Sequence, residues 1–512
     1  MLSPVQRGIV TVSAFAVSLI ITGCASTGGI APQEKSLGAS TLDVGAAIRA
    51  ADIDAKWPSS DWWMSFNDPQ LDAWIEDAEK NNPTLASAQA RVRQAQSMAT
   101  VAHSALLPQV HGNLSIQRQH WPDNVFYGPG PLADETTWNN TGSLGLSYHL
   151  DVWGKYRNES EGALDIAQAT AADERAAQLE LESNVVRTYV ELSMNYALLD
   201  IARSTLEQQK QVASLASRRL AGGIGTQLEV SQAETPIPEY ERQIDTLEES
   251  ISLGKNELAA LVGKGPGAGD SITRPTLSLG TPAGLPTILP ADLIGHRPDV
   301  VAARWLVAAR ARGIDVARAN FYPDINLLAS MGGYAAAGPL FQMFKSMSGS
   351  WSAGPAMSLP IFEGGRLRGE LGAASAGYDE AVDRYNQTIV TALKEISDQI
   401  IRIRSMETQL EDARRSVSIA QKNYDLARSA FQRGLTDYLN VLIAQTQLLR
   451  AQEGAAKVQA ERLNANASLA TVLGGGLMTL SDGPTERDIQ PTHARRSEPS
   501  SATSNAKSVQ SN

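Results

Sequence analysis

Between Thr141 and Trp153, oily and polar residues take turns. Leu144, Leu146, Tyr148, Leu150 and Val152 fall on one side, and Ser143, Gly145, Ser147, His149 and Asp151 on the other. Successive side chains of a strand point to opposite faces, so the stretch predicts a ribbon with one oily and one wet face. The same alternation runs through 323–331 (Ile325, Leu327, Ala329, Met331) and 350–362 (Trp351, Ala353, Met357, Leu359, Ile361). In 109–117, Val110, Leu114 and Ile116 oppose His111, Asn113, Ser115 and Gln117. Strands of roughly ten residues with this dyad are what a membrane barrel requires, but the barrel signal is weak per segment, and taken alone they favour a soluble sandwich with one buried face.

A different period fills most of the remaining chain. Neither glycine nor proline occurs between Gly162 and Gly222, or between Gly377 and Gly434, and both stretches are rich in Ala, Leu, Glu, Gln and Arg. These are strong helix formers. In 185–202 and 389–405 the apolar residues recur at spacings of three and four, as in a packed seam. A helix of ~57 residues is ~85 Å long at 1.5 Å per residue. Uncapped helical patterns of that length predict a coiled coil or a related array. An ordinary cytoskeletal coiled coil would account for the helices but not for the strands.

The chain repeats itself. Residues 83–110 align with 298–325, 215–235 with 426–446, and 258–265 with 469–476. The period of about 210–215 residues is far too long for a solenoid and points to two similar halves around a common axis. Each half runs in the same order: a helix of roughly 25 residues, two strands, a very long helix, a glycine turn and a returning helix. In each turn a leucine follows the glycine by five positions (Gly223 to Leu228, Gly434 to Leu439). Glycine takes positive φ without penalty, which a sharp helix reversal requires. Pro236 and Pro238 lie early in the first returning helix, which must kink or restart there.

Composition narrows the class. The net charge of −11 argues against nucleic-acid binding, which needs a basic face. Cys24 is the single cysteine of 512 residues, so no disulfide forms within the chain. Ahead of it, Arg7 precedes an uncharged apolar run, 8–21, that is too short to span a bilayer. Residues 1–23 therefore predict an export signal. "ITGC" (21–24) resembles a bacterial lipoprotein box. That resemblance implies a diacylglycerol on the Cys24 sulfur and a further acyl chain (palmitate) on the new amino terminus. No aspartate follows the cysteine, which by the same resemblance favours the outer membrane. No later segment has 18 or more apolar residues, so a membrane crossing must use a β-barrel.

Signals for an enzyme are missing. The six histidines (103, 111, 120, 149, 296 and 493) form no HExxH or close metal pair. "GKGPGAG" (263–269) lacks the phosphate-loop Lys followed by Ser or Thr and reads as a linker, and no Gly-x-Ser-x-Gly elbow appears. We therefore expect no catalytic residues, no metal and no cofactor apart from the covalent lipid. Each chain supplies four strands, and an open edge cannot sit in hydrocarbon. Two chains would give eight strands with a filled interior, and three would give twelve with a lumen, the number a conduit needs.

Residues 57–85, with paired tryptophans and an F-x-D-P-x-L run, resemble the opening of TolC/OprM-type outer-membrane efflux lipoproteins of the NodT-like branch. Residues 294–304 resemble the start of their second half, and 433–452 their periplasmic helix–turn–helix. The resemblance covers roughly 57–478. It implies a mixed α and transmembrane β fold: a homotrimer in which four strands per protomer form a shared twelve-stranded barrel, with a coiled-coil α-helical tunnel through the periplasm. It implies a passive conduit carrying drugs and toxic compounds from an inner-membrane pump, docked through a periplasmic adaptor protein. Leu228 and Leu439 match the hydrophobic gate. Asn440 and Ile443 stand where family members often carry aspartate, with Asp437 nearby but off the matching spot, so an apolar constriction is expected. The alternative for Leu439 is a coiled-coil core position. Arg219, Gly223, Arg433 and Gly434 match the adaptor-contacting tips. The implied domains are a signal (1–23), a lipidated linker (24–56), a first repeat (57–265), an inter-repeat linker (266–290), a second repeat (291–478) and a disordered tail (479–512), whose polar composition cannot support a core. Loops 134–140 and 335–349 are expected outside the cell. A protein-secretion (type I) channel and a pore-less periplasmic coiled-coil lipoprotein are the competing functions.

Overall fold

The computed structural model describes residues 27–37, 57–123, 130–279, 296–335, 349–476, 483–485 and 487–492, together with 42, 43, 48, 342 and 345. The expected signal and Cys24 lie outside these residues. The first half contains α1 (Pro69–Asn81), α2 (Pro83–Ser104), β1 (Gln109–His120), β2 (Thr136–Leu150), α3 (Lys155–Ala221), α4 (Gln227–Glu234) and α5 (Ile237–Leu261). The second contains α6 (Pro298–Ala319), β3 (Asp324–Ala335), β4 (Gly349–Ser358), α7 (Arg366–Gln432) and α8 (Tyr438–Val472).

Local chemistry sets these boundaries. Asp68 and Asn82 cap α1 and α2, accepting from the backbone N–H of Gln70 and Leu85, and a proline occupies the first position of each helix. Asp151 accepts from the N–H groups of Tyr156 and Arg157 and so closes β2 and opens α3. Helices α4 and α5 are separated at Thr235–Pro236, the restart that the two prolines require.

The long helices α3 and α7 each run 67 residues, about 100 Å rather than the expected ~85 Å. They begin earlier because the glycines taken as boundaries lie inside them. At Gly162 a Cβ would stand 3.3 Å from the Arg312 Cβ, so the glycine is where α6 approaches α3 closely. An interior glycine costs a helix about 1 kcal/mol and does not end it. No helix among the described residues is long and apolar enough to cross a membrane.

The four strands form one antiparallel sheet in the order β1-β2-β3-β4. Its register stacks the apolar residues: Leu144 faces Met331, which faces Trp351, and Leu150 faces Ile325, which faces Met357. The alternate positions carry His111, Gly145, Ser330 and Ser352, with the two serine hydroxyls 2.9 Å apart. The oily face is bare in the protomer, with Trp351 82%, Met357 70% and Val110 69% exposed. The strands differ from expectation at their ends. β2 begins at Thr136, so most of the expected loop 134–140 is strand, and it ends before Val152 and Trp153. β4 ends at Ser358, before Leu359 and Ile361. Of the other expected loop, Ala335 and Gly349 are strand termini, and most of the residues between lie outside those described.

Among the described residues three large cores hold the helices, and a small cluster of Ala172, Val301 and Ala302 joins α3 to α6. Trp62, Trp63 and Phe66 pack with α1, α3 and α5. Ile48 and Ile489, from the two ends of the chain, pack with α6 and α7. Val212, Phe431, Tyr438 and Val441 fill the hairpin end. Both expected linkers are partly fixed. Gln33 and Glu34 donate backbone N–H groups to Asp379, and Leu37 donates to Asn386. Residues 266–271 form a 3-10 turn, and Thr273 and Thr276 bond to Gln70 and Asp68. The tail expected to be disordered is ordered over 483–485 and 487–492: Ile489 is 5% exposed, and Thr492 donates its N–H and hydroxyl to Asp315. One apolar side chain and a few directed hydrogen bonds suffice to dock this segment, which average polarity does not reveal.

Candidate gate and hairpin tips

The two long helices reverse at matching tips. At the end of α3, Gly223 has φ 72°, and Ile224 N–H reaches back to Arg219 O at 3.0 Å. At the end of α7, Gly434 has φ 74°, and Leu435 N–H reaches Ala430 O at 2.9 Å. This is the glycine-terminated helix end anticipated from sequence. The returning helices are then capped by equivalent residues. Thr226 and Glu229 form a reciprocal capping box. Asp437 accepts from the Asn440 backbone N–H at 3.2 Å and from its side-chain amide at 2.9 Å.

The expected gate residues divide cleanly from the core. Leu439 and Ile443, one turn apart, are 53% and 48% exposed and share a face of α8 with Asn440, which is also exposed. The opposite face carries buried Val441, Ala444 and Leu448. Leu439 is therefore no core position within the protomer. Leu228, in the first turn of α4, is 66% exposed. Asp437 is engaged as a helix cap, and the Asn440 amide also donates to Thr436 Oγ1 at 2.8 Å. The exposed first turns of α8 thus present an apolar pair flanked by a neutral amide.

The four expected tip residues play two parts. Gly223, Arg433 and Gly434 are exposed. Arg219 instead turns inward: Nη1 donates to Phe431 O at 3.2 Å, Nη2 donates to Ile224 O at 3.3 Å, and the guanidinium lies 4.9 Å from the Phe431 ring centroid. Buried Gln209 also joins the tips, donating to Ala233 O at 2.6 Å and Tyr438 Oη at 2.7 Å. Ile224 and Leu435 occupy equivalent tip positions and are 69% and 75% exposed.

Two clusters escaped the sequence reading although their motif was noticed. Asp68 of the F-x-D-P-x-L run accepts from Tyr189 Oη at 3.0 Å and Thr276 N at 2.7 Å, tying residues 272–279 to α3. Trp62 of the paired tryptophans donates Nε1 to Glu182 at 3.0 Å. Burial pushes the Glu182 carboxyl up to about 8, and neighbouring Glu79 reinforces the rise. The paired tryptophans and the acidic motif were the available signals, but their partners lie more than a hundred residues away. Among the described residues no cluster of His, Cys, Asp and Glu could hold a metal ion.

Comparison with known proteins gives a consistent family. Residues 74–264 and 289–475 match the family model described as outer membrane efflux protein. The chain is 63% identical over 377 residues to the fusaric acid resistance protein FusA of Burkholderia cepacia, covering 74% of this chain and 71% of that one. It is 31% identical over 482 residues to the pyoverdine export outer membrane protein OpmQ of Pseudomonas aeruginosa, covering 93% and 99%. Among solved structures, the outer membrane protein VceC of Vibrio cholerae superposes with a TM-score of 0.76 at 34% identity, covering 82% of this chain and 100% of that one.

Proposed function

The chain belongs to the outer membrane efflux protein family, and from that membership we propose how its parts work as a conduit. It is the outer-membrane channel of an efflux system, reaching into the periplasm, and its family is one of transport conduits rather than enzymes. In our reading three copies close a twelve-stranded barrel. The carrying observation is the sheet: four strands, one bare oily face, and open edges at β1 and β4. In hydrocarbon those edges must be paired, and pairing β1 of one copy with β4 of the next closes the barrel. A pore-less coiled-coil lipoprotein gives no role to that face.

The two helices of about 100 Å supply the wall of a periplasmic tunnel. Leu439, Ile443 and Leu228 would narrow its far end as an apolar gate, which closes a pore by dewetting. Gly223, Arg433 and Gly434, with Ile224 and Leu435, would meet a periplasmic adaptor, which in turn meets the inner-membrane pump.

The amino-terminal strap supports a lipid on Cys24. Gly28 lies against Arg368, near the barrel end of α7, and Gln33 and Leu37 meet Asp379 and Asn386 farther along it. Gly28 and Gly29 take positive φ in a turn that Ile30 N–H closes on Thr27 O, and beyond it Gln33 and Glu34, then Leu37, meet successively later positions of α7, so the strap runs away from the barrel. Cys24 lies four positions before Gly28, a chain reach of at most ~14 Å, so in this reading a lipid on it stays close to Gly28. An acyl chain there enters the bilayer without further tether.

The cargo we propose is small and organic, with acids prominent, because the 63%-identical relative is named for fusaric acid resistance. The test is a deletion strain challenged with fusaric acid and a drug panel, with purified protein examined for SDS-resistant trimers and single-channel conductance in planar bilayers. A monomer soluble without detergent would overturn the channel. Unaltered susceptibility alongside a conducting trimer would redirect the reading to protein secretion.

A further inference from the structure

Midway along the long helices, α3, α7 and α8 enclose a cleft of about 860 Å³. Its charged lining includes Arg187 and Glu191 of α3, Glu395 and Arg402 of α7, and Lys457 and Glu461 of α8. Arg297, at the entry to α6, also reaches it but is spent locally, donating to Asp299 and, at 2.9 Å, to Glu395. Arg187, Arg402 and Lys457 remain, facing Glu191 and Glu461, and all five are exposed. None of the three cations is ion-paired among the described residues, and Arg187 makes only a 3.5 Å contact to Ser468 Oγ. Four cations and three carboxylates line the cleft, and Asp299, bound to Arg297, balances the set, so each protomer offers three cations outside any ion pair rather than a net charge, in a chain whose overall charge is −11.

The cleft lies on the side of the long helices that their wrappings leave bare. On α3, Glu182 and Tyr189 carry Trp62, Asp68 and Gln70, whereas Arg187, Glu191 and Met194 lie about 150° around the helix from them. On α7, Asp379 and Asn386 carry the amino-terminal strap, and Glu395, Gln399 and Arg402 lie more than about 130° away. Wrappings inside a tube would block it, so the wrapped faces point outward and the cleft inward.

We propose that this cleft is a lumen-facing station for organic anions, carboxylates or sulfonates with an apolar body. The inference rests on the channel reading above. Copies around the axis repeat the three cations as a ring, and rings of Arg and Lys favour anions, the more so between low-dielectric walls. Arg187 and Arg402 offer forked donors suited to a carboxylate, while Met194, Ala460 and Val472 line the same cleft and suit a hydrocarbon portion.

The test uses the full protein in planar bilayers under a potassium chloride gradient, with benzoate as the probe. The triple variant Arg187→Gln, Arg402→Gln, Lys457→Gln should lower the chloride-to-potassium permeability ratio at least three-fold and weaken benzoate block by a similar factor. Glu191→Gln with Glu461→Gln should move both in the opposite direction. Unchanged ratios in both variants overturn the station. As a positional check, Arg402→Cys treated with an anionic methanethiosulfonate should change conductance; labelling without a change places the residue outside the conduction path and also overturns it. A wild-type protein that forms no pore would overturn the channel reading itself.

Discussion

Arg219 and Phe431 stand 212 positions apart and meet at the hairpin tips, the guanidinium donating to the phenylalanine carbonyl while resting 4.9 Å from its ring centroid. The arginine belongs to the first half of the chain and the phenylalanine to the second. One side chain thus fastens the two tips of a protomer to each other.

Arg219→Gln should therefore loosen the tips without unfolding the protein. The lost cation–π contact and charge-assisted hydrogen bonds are together worth about 1–3 kcal/mol at a half-buried site. Backbone amides of 431–437 should exchange about tenfold faster by hydrogen–deuterium exchange, each 1.4 kcal/mol being one decade. Exchange unchanged at the tip would show that Arg219 contributes nothing to the fastening.

The exposed pair Leu439 and Ile443 predicts a gate that closes by dewetting rather than by charge. Leu439→Ala with Ile443→Ala should raise resting conductance at least about two-fold, whereas Asn440→Ala should change it little. If Asn440→Ala matters more than the apolar pair, a polar constriction sets the closed state.

Buried Glu182 predicts a particular sense of pH dependence. Its folded-state value, near 8, lies above the ordinary 4.5, so folding favours the neutral carboxyl. The associated stability is complete below about 4.5 and is lost as pH rises towards 8, a total of a few kcal/mol. Glu182→Gln keeps an acceptor for Trp62 Nε1 and removes the titration. Its Tm should exceed wild type at pH 8 and approach it near pH 4.5, so the variant's melting profile is flatter. A larger wild-type Tm at pH 8 would reverse the assignment.

Much of this architecture was legible in local pattern. The dyad of 141–150 yields a strand because alternation needs only neighbouring residues, and Gly223 and Gly434 disclose their turns because positive φ is a property of one residue. Gly162 misled for the same reason: its helix breaker's reputation is local, but its role is to admit α6 from far along the chain. Leu228 and Leu439 are singled out by motif and both are exposed, whereas the inward turn of Arg219 depends on a carbonyl 212 residues away. Asp68 stood in a recognised run, yet its work lies with Tyr189 and Thr276. Contacts across such separations leave no periodicity to read.

The carboxyl-terminal segment separates two truncations that composition would treat alike. Ending the chain after Thr492 removes only residues beyond the docked stretch and should leave assembly and efflux intact. Ending it after residue 482 removes Ile489 from the α6–α7 core, the carbonyl that accepts from Tyr378 Oη at 2.9 Å, and both donors from Thr492 to Asp315. Burying an isoleucine is worth about 1.5–3 kcal/mol. Asp315, 8% exposed, would keep only the Arg318 contact at 3.9 Å, adding the cost of an underbonded buried carboxylate. The shorter chain should lose about 3 kcal/mol, read as a Tm several degrees lower and, in the proposed trimer, as dissociation at lower SDS temperature. Equal melting of the two truncations would show that 483–492 adds nothing to the fold.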